Sequence, residues 1–211
     1  MNDVGMKVER HPMPLERKQL VASRCKTITR AVNRSLWNNL SEKDHSFYVG
    51  SYGRGTAIET SDIDLLIEVP EDYYVTDVLS TYNPQSRLLQ VVKQAILETY
   101  PRSDIRGDGQ VVVINFSDGM KFEVLPAISC SFEEQSYIYP DSHMGGNWLS
   151  TNPKKEQEAI LEKDQQSNGL LKATCRHLRY IKDNYFSSYH LSGIVIDSFV
   201  YAAIGDWHFR F

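Results

Sequence analysis

A chain of 211 residues with 41% apolar, 24% charged and 11% aromatic residues has the make-up of a folded globular protein, which excludes disordered and fibrous classes. No run approaches the ~20 apolar residues of a membrane span, and the opening MNDVGMKVERHPMP lacks an apolar signal core, so a cytoplasmic setting is expected. The net charge of −4 is unevenly placed, with eight Lys and Arg against three acidic residues in positions 1–40 and 15 against 24 in the remainder.

In chain order, Val21, Cys25, Ile28, Val32, Leu36 and Leu40 recur at three- and four-residue spacing, which predicts an amphipathic helix from Pro14 to Leu40, about seven turns long. Its other side carries Arg17, Lys18, Arg24, Lys26, Arg30 and Arg34. That side reads first as a solvated face and second as a track for a phosphate backbone. Phe47–Val49 and Ile63–Val69 predict two strands flanking a Gly-rich turn. Residues 84–99 predict a helix with Leu88, Val91, Val92, Ala95 and Ile96 on one face. Gln110–Phe116 and Met120–Ile128 predict a hairpin across Ser117-Asp118-Gly119, whose Asp-Gly pair suits the turn. Tyr137–Lys155 reads as a long irregular crossover, and Glu156–Asn184 and Ser192–Ile204 as a helical lobe. The expected architecture is α+β, a mixed sheet with flanking helices over residues 1–150 and a short helical lobe over 151–211. The aromatic ending WHFRF suggests burial. No internal repeat is present.

The chemistry concentrates in GSYGRGTAIETSDIDLLI, residues 50–67. Side chains alternate along a strand, so Asp62 and Asp64 share a face, and two carboxylates that close repel when ionised. A pair of Mg²⁺ ions, with Mn²⁺ as a substitute, is a natural counter-charge. Gly50 and Gly53 permit close approach of backbone to a phosphate, and the Ser51 hydroxyl offers a hydrogen bond to it. A two-metal centre of this kind suits nucleotidyl transfer, one ion activating the attacking oxygen and the other stabilising pyrophosphate, and it needs a further carboxylate. Cys25, Cys130 and Cys175 are too few and too scattered for a disulfide framework and read as buried thiols. The six histidines lack paired ligand spacing.

G-S-x-G-R-G-T followed by S-D-I-D resembles the polymerase-β-type nucleotidyltransferase superfamily. The segment FEVLPA (Phe122–Ala127) resembles the F-D-V-L-P-A of oligoadenylate synthases, which implies Glu123 as third metal ligand, with Glu standing where that family has Asp. FSSYH (Phe186–His190) and Leu170-Leu171-Lys172 look like segments of animal cyclic GMP-AMP synthase, which implies Lys172 and Ser188 at the donor triphosphate. WLSTNP (Trp148–Pro153) resembles the bacterial CD-NTases, makers of cyclic oligonucleotide signals in antiphage defence. The zinc insertion of the animal sensor is not recognisable.

The resemblance implies a polymerase-β-like core that uses two Mg²⁺ ions to join nucleoside triphosphates into a cyclic di- or trinucleotide. It places Asp62, Asp64 and Glu123 at the metals and Gly50, Ser51, Lys172 and Ser188 at the nucleotide. The implied partners are nucleoside triphosphates, operon-encoded regulators and a downstream cyclic-nucleotide effector, without a membrane. Linear oligonucleotide synthesis and nucleotidylation of a protein or RNA remain open, because ring closure depends on the acceptor pocket. A non-catalytic nucleotide or nucleic-acid binder that uses the basic front helix is the competing class. Tyr52, Tyr139 and Trp148 are candidates for stacking on a base or for core anchoring.

Overall fold

The computed structural model describes residues 11–130 and 135–209. Its framework is a mixed sheet of β1 (Ser46–Tyr48), β2 (Ile63–Glu68), β3 (Asp104–Asp108), β4 (Val111–Asn115) and β5 (Lys121–Ser129), in the spatial order β1-β2-β5-β4-β3. β2 and β5 run parallel, and the other pairs are antiparallel. The expected hairpin is β4–β5, turned at Gly119 with φ +81°.

Alternation along the strands splits the sheet into two chemically different faces. Ile63, Leu65 and Ile67 of β2 join Phe122 and Val124 of β5 and Val112 and Ile114 of β4 in the main core. Two helices cover that face, α1 (Leu15–Leu36) through Val21, Ile28 and Val32, and α4 (Pro84–Leu97) through Leu88, Val92 and Ile96. The opposite face carries Asp64 and Leu66 of β2 beside Glu123 and Leu125 of β5. One strand pair therefore anchors the core with half of its side chains and presents carboxylates with the other half.

Several expectations need correction. α1 ends at Leu36 rather than Leu40, about six turns. Asn38 takes φ +50°, the Trp37 indole N–H donates to the Glu68 carbonyl, and the buried Asn33 amide donates to the carbonyls of Ser41 and Asp44. Those tertiary bonds turn the chain away, and Leu40 is left exposed. After α2 (Gly50–Arg54), Glu71–Tyr73 forms an unanticipated short turn, α3, opened by Pro70 and continued by a wide π-type turn over Tyr74–Val78. The supposed irregular crossover is instead a hairpin, β6 (Tyr137–Asp141) and β7 (Asn147–Thr151), with β6 paired to the end of β5. Pro140 and the positive-φ turn Met144-Gly145-Gly146 masked its alternation.

The helical lobe comprises α5 (Pro153–Gln166), α6 (Leu170–Tyr185) and α7 (Gly193–Ala203). Asn168 at φ +54° and Gly169 at φ +86° separate α5 from α6, where periodicity alone reads one run. Ile160, Leu171, Cys175, Val200 and Ile204 form the core of this lobe. Cys175 is buried, whereas Cys25 and Cys130 are half-buried. Trp207 is 76% exposed, against the expected burial of the aromatic ending, and Arg210 and Phe211 lie outside the described residues, as does most of the opening segment. Among the described residues no helix is long and apolar enough to cross a membrane.

Candidate active site

The predicted Gly-rich turn is the short helix α2, whose geometry explains its composition. Gly50 sits at φ +55°, and a Cβ there would overlap the Asp64 carboxylate. Gly53 lies close to the Tyr48 carbonyl, where a Cβ would stand 2.6 Å from the oxygen. Gly50 lets α2 lie directly against β2, and Gly53 lets it close on the end of β1. The Val49 N–H donates to the Asp64 carbonyl at 3.0 Å, and the Ser51 backbone N–H donates to the Asp64 side chain.

Register then assembles the carboxylates. Asp64 on β2 pairs directly with Glu123 on β5, and Asp62, just ahead of β2, lines the same cavity. Burial, followed by the charges of Glu123 and Asp62, raises the Asp64 carboxyl to about 6, against the opposing pull of Arg54 and the Ser51 N–H. The three acidic side chains line a cavity of about 850 Å³ together with Gly50, Ser51, Arg54 and Tyr139. Arg179, Lys182, Asp183 and Ser192, from α6 and the start of α7, close its far side.

Sequence reasoning overlooked Lys121. Its Nζ donates to Asp62 Oδ2 at 2.8 Å and to Glu123 Oε1 at 2.5 Å, so one ammonium bridges two of the three carboxylates. The signal was available, since Lys121 lies two residues before Glu123 and so shares its strand face. With the ammonium between them, the acidic groups do not converge on one point, and among the described residues no cluster of three or more His, Cys, Asp or Glu is arranged to hold a metal ion.

The other expected residues fall into two sets. Gly50 and Ser51 line the cavity; Lys172 and Ser188 do not. The Lys172 side chain lies beside Gly55 at the exit of α2, with Nζ 3.8 Å from Asp164. Ser188 is exposed in the link between α6 and α7. Tyr139 lines the cavity, the Tyr52 hydroxyl instead faces Met13, and Trp148 packs edge-on against Tyr74. The cations that α6 turns toward the cavity are Arg179 and Lys182.

Arg179 belongs to a buried charge cluster that ties α2 to the helical lobe. Asp197 of α7 accepts from Arg179 Nε and Nη2 at 3.0 and 2.8 Å, from Arg54 Nε at 2.9 Å and from Thr56 Oγ1 at 2.7 Å. Burial alone would raise its carboxyl, yet these donors hold it below the usual carboxylate range. On the outer face of α1, Arg24 meets Asp118 and stacks over Phe116, Arg30 meets Glu42, and Arg34 meets Glu98. Three of the six basic residues named for that helix, Arg24, Arg30 and Arg34, are therefore matched by neighbouring acids.

Comparison with known proteins supplies the relatives. The profile of the Second Messenger Oligonucleotide or Dinucleotide Synthetase domain matches residues 13–164. A cyclic AMP-AMP-AMP synthase of an Acinetobacter species is 23% identical over 190 residues, covering 76% of this chain and 54% of that protein. The chain thus spans about half the length of that relative. Among solved structures, the Elizabethkingia meningoseptica CdnE cyclic dinucleotide synthase with GTP and Apcpp aligns with a TM-score of 0.64 at 18% identity, over 87% of this chain and 67% of that one. The Bradyrhizobium diazoefficiens CD-NTase CdnG in complex with GTP aligns with a TM-score of 0.67 at 12% identity, over 92% and 67%. At these identities the structural likeness establishes the fold, the polymerase-β-like arrangement that the sequence motifs imply.

Proposed function

This chain belongs to the Second Messenger Oligonucleotide or Dinucleotide Synthetase family, and from that premise we propose that it is a Mg²⁺-dependent nucleotidyltransferase. In this reading it joins nucleoside triphosphates and closes them into a cyclic di- or trinucleotide, a second messenger in antiphage defence. One observation carries the reading: Asp62, Asp64 and Glu123 share one face of the parallel β2–β5 pair, inside the cavity that α2 borders.

The donor set fits hard divalent cations, because it consists of carboxylate oxygens and because a positive group already rests between two of them. Two such ions, when bound, would polarise the reacting phosphate and offset the charge of the leaving pyrophosphate. The residues of the chain do the positioning. Asp62, Asp64 and Glu123 would provide the ligands, and Glu123 would align the ribose hydroxyl. A P–O bond forms from that hydroxyl to the α-phosphorus, its proton passes to Glu123, and the bond to pyrophosphate breaks. Ser51 and the cavity-lining Lys182 and Arg179 would face the phosphates, with Lys172 supporting the exit of α2. The core would comprise residues 1–150 and the lobe 151–211, with the cavity between them.

The test is incubation of the purified chain with all four ribonucleoside triphosphates and Mg²⁺ or Mn²⁺, followed by phosphatase and mass spectrometry. A phosphatase-resistant product that Asp62→Ala and Asp64→Ala each abolish is the expected result. A product bearing a terminal triphosphate before phosphatase would replace ring closure with linear synthesis, and full activity in either variant would sink the mechanism.

A further inference from the structure

Without a bound ion, the three carboxylates that β2 and β5 bring to one side of the sheet repel each other. Lys121 is placed to offset that repulsion. It projects from β5 on the same face as Glu123, its Nζ lies 2.8 Å from Asp62 and 2.5 Å from Glu123, and it is only 33% exposed. Lys121 and Asp62 are 59 residues apart in sequence, so the ammonium also pins the start of β5 to the approach of β2. Its partners are two of the three carboxylates assigned above to the metals.

We propose that Lys121 is a built-in counter-cation of the site, holding Asp62 and Glu123 in the metal-free protein, so that a divalent ion binds only by displacing it. Metal loading is then an exchange of one cation for another. The exchange lowers the intrinsic affinity of the carboxylates and sets the divalent concentration at which the site fills, while the metal-free fold keeps its acidic groups from splaying apart. A lysine suits this role because its single ammonium sits on a flexible four-carbon stem and can swing clear, whereas an arginine fork would hold a carboxylate in two places. This inference rests on the reading of Asp62 and Glu123 as metal ligands.

The experiment uses the whole chain without nucleotide and Mn²⁺ as the probe, with free ion counted by electron paramagnetic resonance and thermal melts recorded in parallel. Lys121→Met should bind Mn²⁺ about fivefold to tenfold tighter than wild type, the order expected for releasing a partly exposed ion-pair network. Its melting temperature should be lower without metal and recover at saturating Mn²⁺. Lys121→Arg keeps a cation on the pair and should stay near or below wild-type affinity. Should the Met variant fail to fold, Lys121→Gln gives the same comparison. Unchanged or weaker Mn²⁺ binding by the folded Met or Gln variant overturns the proposal, as does equal tightening by the Arg variant. Asp62→Asn separates the two levels of the argument. If it leaves Mn²⁺ binding intact, the metal reading falls and the Lys121 inference with it; if it abolishes binding while the Lys121 variants do not tighten it, only the Lys121 inference falls.

Discussion

Asp64 lies between Asp62 and Glu123 in charge and beneath α2 in space, and its carboxyl is raised from 3.8 to about 6 chiefly by burial. The folded protein therefore keeps a proton there at pH values where the unfolded chain has lost it, so stability from this group is greatest below pH 4 and falls as pH rises toward 6. The loss is on the order of 2 kcal/mol at most, since one pKa unit is about 1.4 kcal/mol and the group is partly solvated. In metal-free protein, Asp64→Asn should raise the melting temperature at pH 7.5 and change it little at pH 4.5. Equal gains at both values would show that the charge is not the cause. Gly50 offers a second test at this scale, because Gly50→Ala would force a Cβ into the Asp64 carboxylate on top of a left-handed backbone costing about 1–2 kcal/mol. Mn²⁺ binding should be lost. Gly119→Ala, also at positive φ but with nothing within 4 Å, should cost a similar conformational penalty and leave Mn²⁺ binding unchanged.

Among the elements, α2 is held from two sides. Gly50 seats it on β2 and Gly53 on the end of β1, and Arg54 with Thr56, just beyond its end, fixes it to Asp197 of α7. Removing one partner of a buried ionic cluster leaves uncompensated charge, so Asp197→Ala should destabilise the fold by roughly 3–5 kcal/mol in urea denaturation. A loss below about 1 kcal/mol would mean that Arg54 and Arg179 find other partners. The depressed Asp197 carboxyl also contributes stability above its ordinary value of 3.8 that is lost as pH falls through its folded value, so wild type but not the Ala variant should lose that increment in acid. Elements differ in how plainly the chain announces them. β2, β4 and β5 carry buried apolar alternation or runs and were legible; β3, with the sequence DIRGD, buries only Ile105 and lies at the sheet edge, so it gives almost no signal. The β6–β7 hairpin is half-exposed and interrupted by Pro140, which is why its composition reads as loop.

At the scale of the whole molecule the sheet and the helical lobe together line a cavity with Asp62, Asp64 and Glu123 on the β2–β5 side and Arg179, Lys182 and Asp183 on the other. Its volume of about 850 Å³ lies within the range of ligand sites, and on the proposed reading a triphosphate would lie between the carboxylates and Lys182, whose ammonium is otherwise 3.1 Å from Asp183. A non-hydrolysable ATP or GTP analogue with Mg²⁺ at 100 times its Kd should stabilise the protein by about 2.7 kcal/mol, read as a rise in melting temperature. Lys182→Ala should reduce that rise at moderate salt. An unaltered rise would remove Lys182 from the phosphate side of the cavity.

By itself the sequence determined the α+β class and the pairing of Asp62 with Asp64 two residues apart, because strand alternation and glycine-dependent turns are properties of a few neighbouring residues, and the resemblance of its FEVLPA segment supplied Glu123 as a candidate. Only the tertiary structure decided that Asp64 pairs with Glu123, that Lys121 bridges to Asp62, and that α6 turns Arg179 and Lys182 toward the cavity while Lys172 lies at the exit of α2. Strand register and helix rotation are set by packing between segments far apart in the chain. A periodic pattern names the face that is buried, but not the partner that the other face meets.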